Sequence, residues 1–440
     1  MKRIHLIAIG GAIMHNLAIA LSRKGYIVTG SDDAIYDPAK TNLELAGLLP
    51  EIGWNADVIN NEIDIVILGM HARGDNPELI KAKELGLKIM SFPEFVAEDC
   101  KDKKRVVVGG SHGKTTTTAM IMHVLSKLNI DFDYLVGSSI EGFDLSVKLS
   151  NAPLIIIEGD EYLSSPLDLK SKFLWYKPHI SILTGIAYDH INVFPTFEGY
   201  VKTFADFVET HEKNGIYFWY KGDEHLEEIA NNTKVQNRAY DTPTFTLNNG
   251  DVTIQSEEKA FPQSVVGQHN LENMEAASLV CEQLGIERAL FFDAIGDFTG
   301  AGRRMEKIFD NKTQVVYRDF AHSPSKLAAT TKAIKQTYEN PLFAVFELHT
   351  FSSLNKSFLP LYKDAMQYAD KAVVFYNEAV FAHKKMEVLD KEYVRECFGN
   401  VSIINAVSEL ESELETAFAN GNNILLMSSG KFEGAIFDFS

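Results

Sequence analysis

Apolar and polar positions alternate along the chain in short β-branched runs, each closed by glycine or an acid and followed by a stretch of helical period. His5 to Ile9 reads as the first strand, Gly10 and Gly11 as a turn, and the stretch through Leu17 and Leu21 as a helix. Tyr26 to Gly30 returns as a strand ending in Ser31 and Asp32, and Ile63 to Leu68 and Leu87 to Met90 supply two more. The charged run CKDKKR, residues 100–105, closes this block and reads as a linker. Val106 to Val108, Leu154 to Ile157 and Ile180 to Leu183 are the short buried strands of a second block. A hairpin around Asn248 and Gly250 and a helix from Leu271 to Leu284 carry that block to about Phe309. The third alternates again, with strands at Gln314 to Tyr317, Leu342 to Phe346, Lys371 to Phe375 and Ile424 to Met427, and helices after Pro324 and through Leu410 and Leu414. The pattern predicts an α/β protein of three domains, 1–101, 102–309 and 310–440.

Composition narrows the class. A chain of 440 residues, 45% of them hydrophobic, can bury more than one core. The net charge of −18 opposes general nucleic-acid binding, which needs a basic field. No apolar run reaches membrane length, and MKRIHLIAIGGAIMHN has a strand-glycine-helix pattern rather than that of a signal peptide, so a cytoplasmic protein without membrane insertion is expected. Cys100, Cys281 and Cys397 lie far apart and match no metal spacing. An acidic protein that binds phosphate must do so by local devices.

The stretch RVVVGGSHGKTTTTAMIMHVL, residues 105–125, offers such a device. Gly110, Ser111, His112 and Gly113 separate a strand from a helix, so backbone N–H groups can turn inward as a nest for a polyanion. Lys114 would reach the β/γ-phosphates, and the hydroxyl of Thr115 or Thr116 would face Mg²⁺. The loop is shorter than the usual phosphate-loop pattern, with Val108 five positions before Gly113. Two strand ends deliver further polar chemistry: IIIEGDEY ends in Glu158, Asp160 and Glu161, which can hold Mg²⁺, and Asp189 and His190 could bind a second metal. Two metals and a positioned lysine fit phosphoryl transfer from ATP.

In their order these motifs resemble the Mur ligase family, ATP-dependent enzymes that add amino acids or peptides to UDP-N-acetylmuramate. GSHGKTTT resembles its ATP loop, EGDEY its magnesium-carrying acidic segment, and YDHINVF its second-metal histidine segment. GQHNLENMEAA resembles the adenine-side helix and implicates His269, Asn270 and Asn273. GAGRRME implies a nucleotide contact for Arg304, and YRDFAHSP turns Asp319 and His322 toward the active site. The resemblance implies a Rossmann-like N-terminal domain for the UDP-sugar, a central P-loop ATPase domain, and a Rossmann-like C-terminal domain for the amine. Gly10, Gly11, Met14, Ser31, Asp32 and His71 would lie near the sugar nucleotide, and His349 near the amine. Lys114, Glu158, His190, Arg304 and His322 would be catalytic, with Thr115, Glu158, Glu161 and His190 around metal.

The N-terminal segments IAIGGAIMHNLA, TGSD and LGMHARGDNPEL look closest to the branch that attaches L-alanine or recycled peptide. The chain departs from the family pattern at three places. Phe204 stands where many relatives carry a modified lysine, Ser323 where a second histidine is usual, and Thr350 where an arginine is expected near the amine. Ligases with other amines share the ATP domain, and a regulator that binds UDP-sugar and ATP without turnover is a separate reading. The amine and the oligomeric state are not legible in the sequence.

Overall fold

A computed structural model describes the chain except residues 1, 71, 189–192, 249, 257–258, 303, 385, 438 and 440, and describes only the backbone of 382 and 383. The chain divides into two compact units, Met1–Asp241 with Asn273–Phe291, and Thr242–Glu272 with Phe292–Ser440.

The first unit holds two parallel sheets. β1 (Arg3–Ile7), β2 (Ile27–Ser31), β3 (Ile65–Leu68) and β4 (Lys88–Ser91) form a four-stranded sheet in the order β2-β1-β3-β4. The second comprises β5 (Lys104–Gly109), β6 (Asp133–Leu135), β7 (Val147–Lys148), β8 (Leu154–Glu158), β9 (Ile180–Leu183), β10 (Ile216–Tyr220) and β11 (Gln236–Tyr240). Its order is β11-β10-β9-β5-β8-β6-β7, parallel except for β7. Val106 to Val108 and Ile155 to Ile157 are fully buried, which is why both strands read as unbroken apolar runs. In each sheet the chain leaves a central strand, β1 or β5, and returns on its other side, so the crevice past the strand's C-terminal end is where an open α/β sheet takes ligand.

Within residues 100–105, read as a linker, Lys101, Asp102 and Lys104 are exposed, whereas Lys103 and Arg105 are buried. Lys103 is buried, and its ammonium donates to Asp133 Oδ2 at 2.6 Å and to the Ser150 and Ala152 carbonyls at 2.8 Å. Arg105 is buried within β5 and donates to the carbonyls of Lys177, Cys100, Lys101 and Lys103 and to Glu212 at 2.7 Å. The two cations tie strand starts together, because a buried charge is tolerated only when its donors are used.

The second unit holds an antiparallel sheet of β12 (Phe245–Asn248), β13 (Asp251–Ser256) and β14 (Lys259–Gln263). The hairpin turns where Asn248 pairs with Asp251. It also holds a six-stranded sheet of β15 (Glu306–Asp310), β16 (Val315–Asp319), β17 (Leu342–Glu347), β18 (Lys371–Phe375), β19 (Ser402–Ile404) and β20 (Asn423–Met427). Its order is β15-β16-β20-β17-β18-β19, parallel except at β15. Val316, Phe343, Val345, Val373, Ile424 and Leu426 pack its core against Leu410 and Leu414 of the helix Val407–Ala419.

Candidate active site

Gly110 and Gly113 bracket the turn from β5 into the helix Lys114–Lys127, with φ of +127° and +81°. A Cβ would stand 2.1 Å from Thr184 Oγ1 at Gly110 and 2.4 Å from Asn273 Oδ1 at Gly113. Both positions therefore require glycine on conformational and steric grounds. The N-cap residue is Gly113, which has no side chain to cap the helix start. The first N–H groups of the helix are left for an anion, and the helix dipole favours negative charge there.

Side chains converge beside this turn. Lys114 Nζ donates to the Gly110 carbonyl and to Glu161 Oε2 at 2.9 Å. Burial alone would lower the Lys114 pKa, but the charges of Glu161, Asp160 and Glu158 outweigh it and raise it, so Lys114 is a cation. Thr115 Oγ1 donates to Glu158 Oε1 at 2.7 Å, and Glu158 Oε2 accepts from the Gly137 N–H at 2.9 Å. A threonine hydroxyl beside a carboxylate is a hard-oxygen donor set of the kind Mg²⁺ takes. Thr116 is buried on the same turn. Asp160 pairs instead with Lys172. Burial would raise the Asp160 pKa, but the charges of Lys172 and Lys114 hold it below the usual carboxylate value.

A hydrogen-bond relay supports Glu161, which is 1% exposed. Tyr200 donates its hydroxyl to Glu161 Oε1 at 2.9 Å and lies 2.9 Å from Ser111 Oγ. The tyrosine has one proton and gives it to the carboxylate, so Ser111 donates to Tyr200 and accepts the Ala187 N–H at 2.8 Å. Thr184 donates to the His112 carbonyl and fixes the middle of the turn. Tyr200, Thr184 and Lys172 were not singled out in the sequence; each is tied to the site by a partner distant along the chain, and none sits in a phosphate-loop or acidic pattern.

Gly10, Gly11, Ser31 and Asp32, four of the residues expected near a sugar nucleotide, lie past the ends of β1 and β2 or at them. The Gly10 N–H donates to Asp32 Oδ2 at 2.7 Å. Burial raises the Asp32 pKa, partly offset by that bond. Gly11 precedes the helix Ala12–Arg23, whose Met14 is packed into the apolar core. Ser31 is buried, 3.4 Å from His5 Nε2, and His5 pairs with buried Glu78 at 3.2 Å. His71, Asp189 and His190 lie outside the described residues.

The remaining candidates, Asn273 apart, belong to the second unit. Asp319 ends β16 and accepts the Met305 N–H at 2.6 Å and the Ala321 N–H at 2.8 Å, so it fastens the turn after Arg304. The Arg304 guanidinium lies 5.5 Å from the centre of the Phe320 ring. Burial lowers the pKa of His269, opposed by the charges of Asp319 and Glu272. Asn270 donates to the Val266 carbonyl at 2.8 Å, which closes the turn before the helix Gln268–Gln283. His322 Nδ1 lies 2.9 Å from the Phe320 carbonyl, and His349 follows the end of β17.

Three family profiles cover most of the chain: the Mur ligase family catalytic domain matches residues 3–104, the Mur ligase middle domain 108–281, and the Mur ligase glutamate ligase domain 303–430. A UDP-N-acetylmuramate--L-alanine ligase of Caldicellulosiruptor saccharolyticus is 32% identical over 85% of this chain and 83% of its own length. The chain belongs to the Mur ligase family. Members of that family are ATP-dependent ligases that form amide bonds. A UDP-N-acetylmuramate--L-alanyl-gamma-D-glutamyl-meso-2,6-diaminoheptandioate ligase of Haemophilus influenzae is 28% identical over 99% of this chain and 97% of its own. Among solved structures, an UDP-N-acetylmuramate-alanine ligase of Thermotoga maritima matches the fold with a TM-score of 0.71 at 21% identity, over 99% of this chain and 97% of its own. A murein peptide ligase of Psychrobacter arcticus 273-4 does so with 0.66 at 24%, over the same shares. The Mur ligase fold thus accounts for the three α/β blocks, and no helix among the described residues is long and apolar enough to cross a membrane.

Proposed function

We propose that this Mur ligase joins UDP-N-acetylmuramate to L-alanine or to L-alanyl-γ-D-glutamyl-diaminopimelate in the cytoplasm, using ATP. The reading rests on the turn at Gly110 to Gly113, whose glycine-started helix stands beside the Lys114–Glu161 and Thr115–Glu158 pairs. A muramoyl carboxylate oxygen would attack the γ-phosphorus of ATP and release ADP. The amine nitrogen would then attack the acyl carbon, lose a proton and expel phosphate, leaving the amide. Lys114 would hold positive charge against the transferring phosphoryl group, where such sites gain most of their rate. Mg²⁺ would be held by Thr115, Glu158, Glu161 and His190 and would supply further charge neutralisation. Glu161 fits a role beside the phosphates because Tyr200 and Ser111 keep its carboxylate oriented before any substrate arrives.

In this reading residues 1–101 carry the UDP-sugar around Gly10, Gly11, Met14, Ser31, Asp32 and His71. Residues 102–309 carry ATP at Gly110, Ser111, His112, Gly113, Lys114, Thr115 and Thr116, with His269, Asn270, Asn273 and Arg304 on the nucleotide. Residues 310–440 carry the amine near His349, with Asp319 turned to the nucleotide and His322 to the reaction. The test is phosphate release from ATP and Mg²⁺ with UDP-N-acetylmuramate, comparing L-alanine with the tripeptide. Release with either amine, lost in Lys114→Ala, supports the ligase reading and identifies the amine. Silence with both would overturn this substrate assignment.

A further inference from the structure

β17 and β20 are neighbours in the second unit's large sheet, with Phe346 paired to Met427, so the residues that follow them emerge side by side. Glu347 and His349 come from the first strand's end, and Gly430 and Glu433 from the segment after the second. One carboxylate oxygen each from Glu347 and Glu433 and one ring nitrogen of His349 lie within 4.8 Å of one another.

Three features of this cluster suit it to a cation. Glu347 is 2% exposed, yet no lysine or arginine pairs with it among the described residues. A buried carboxylate without a cation is costly. His349 Nδ1 is buried and has no hydrogen-bond partner among the described residues. Gly430 leaves the space between the donors open, since a Cβ there would stand 2.8 Å from both Glu347 Oε2 and His349 Nδ1. The Glu347 carboxylate is also oriented from behind. Its Oε2 accepts from Ser428 Oγ and from the Phe432 N–H at 3.0 Å, and Ser428 Oγ accepts the Gly430 N–H at 2.7 Å. Outer hydrogen bonds of this kind hold metal-ligating carboxylates in place.

We propose that Glu347, His349 and Glu433 bind a divalent first-row transition ion. Metal–ligand bonds of about 2.0–2.2 Å bring neighbouring donors to roughly 3.4 Å in a tetrahedral site, a tightening that the exposed Glu433 side chain can supply. The imidazole selects such an ion over Mg²⁺, which prefers oxygen donors throughout. Three protein ligands leave a coordination position open to a substrate carboxylate, next to Thr350 in the chain. This site shares no residue with the phosphate loop, and its occupancy does not depend on the ligase reading.

The experiment uses the full chain stripped with a chelator and titrated with Co²⁺, read by its visible ligand-field absorption, with Zn²⁺ as competitor. Wild type should bind Co²⁺ with at least tenfold higher affinity than Glu433→Gln or His349→Ala, and should keep it against a large excess of Mg²⁺. Glu158→Gln, at the phosphate loop, should leave this equivalent unchanged. Gly430→Ala retains every ligand but fills the gap, and should weaken Co²⁺ at least tenfold. Circular dichroism and thermal melts check that each variant is folded; the exposed Glu433→Gln substitution leaves the buried packing intact. Equal Co²⁺ stoichiometry and affinity in wild type and Glu433→Gln would overturn the site, as would displacement of Co²⁺ by equimolar Mg²⁺.

Discussion

Thr115 Oγ1 donates to Glu158 Oε1 across 2.7 Å, joining the first turn after the phosphate loop to the end of β8. The bond holds a hydroxyl and a carboxylate at one place. Glu158→Gln keeps the shape and can still accept from Thr115, but it removes the negative charge that would draw Mg²⁺. Phosphate release at saturating substrate should fall by about a hundredfold or more, the range seen when one preorganised electrostatic partner is removed. The Mg²⁺ concentration for half-maximal rate should rise as well. A variant with wild-type rate and Mg²⁺ dependence would remove Glu158 from the metal assignment.

Tyr200 is fully buried, and its hydroxyl serves Glu161 on one side and Ser111 on the other. Tyr200→Phe preserves the ring packing against Phe204 and Phe194 while deleting the donor. Leaving a buried carboxylate oxygen short of a partner costs about 1–3 kcal/mol, so the urea midpoint should shift down by a matching amount. Because Glu161 also holds Lys114, kcat should drop while the KM for the UDP-sugar stays close to wild type. An unchanged midpoint together with an unchanged kcat would show the relay to be idle.

Gly113→Ala tests the loop's backbone. The φ of +81° and the 2.4 Å approach of a Cβ to Asn273 Oδ1 act in the same direction. A cost of about 1–3 kcal/mol is expected from a non-glycine residue held in this region. Nucleotide affinity, followed by fluorescence of a labelled ATP analogue, should weaken at least tenfold. Gly25→Ala is the control, since that glycine also has positive φ, at +95°, but no described residue within 4 Å of a Cβ. It should lose stability and keep nucleotide affinity.

Most strands were legible because short apolar runs bounded by glycine or acid have few other uses. Ile180–Leu183 and Lys371–Phe375 match their runs, and Leu154 to Ile157 falls one residue short of its strand. The convergence of Lys114, Thr115, Glu158 and Glu161 was legible too, because each lies at or just past a strand's C-terminal end in an open α/β sheet. The site's supports were not. Tyr200 reaches Glu161 across 39 positions of sequence, and Thr184 reaches the loop across 72, with no local pattern to mark either. The burial of Lys103 and Arg105 within CKDKKR was hidden for the related reason that composition cannot say which carbonyls will receive a charge. Lys103 and Arg105 are spent on strand-end carbonyls that become neighbours only in the folded sheet.

Lys103 is the cation of a buried pair with Asp133, which is fully buried and also accepts from the Ser150 N–H and hydroxyl. Lys103→Met keeps much of the side-chain volume but leaves the carboxylate without its cation. Breaking a buried pair in this way costs about 3–5 kcal/mol. Equilibrium urea denaturation should show that loss, and the double variant Lys103→Met with Asp133→Leu should recover part of it. A loss under about 0.5 kcal/mol would match a surface charge instead.

His211 sets an acid limit on stability. Its Nδ1 lies 2.7 Å from the Val208 carbonyl and its Nε2 2.9 Å from Ser181 Oγ. A carbonyl can only accept, so Nδ1 carries the proton and Nε2 accepts from the serine. Burial holds the pKa down to about 4 from the ordinary 6.5, against the opposing pull of the Val208 carbonyl. The folded state thus takes up a proton less readily than the unfolded chain. This contribution is fully present above pH 6.5 and is lost as the pH falls toward 4. The loss amounts to about 3 kcal/mol at its limit. Urea midpoints measured from pH 7.5 to 4.5 should fall through this window in wild type, on top of the carboxylate contributions. His211→Gln removes the titrating group, so its curve should be lower at pH 7.5 and flatter between 6.5 and 4.5. Parallel curves for the two proteins would mean that His211 protonates alike in the folded and unfolded chain.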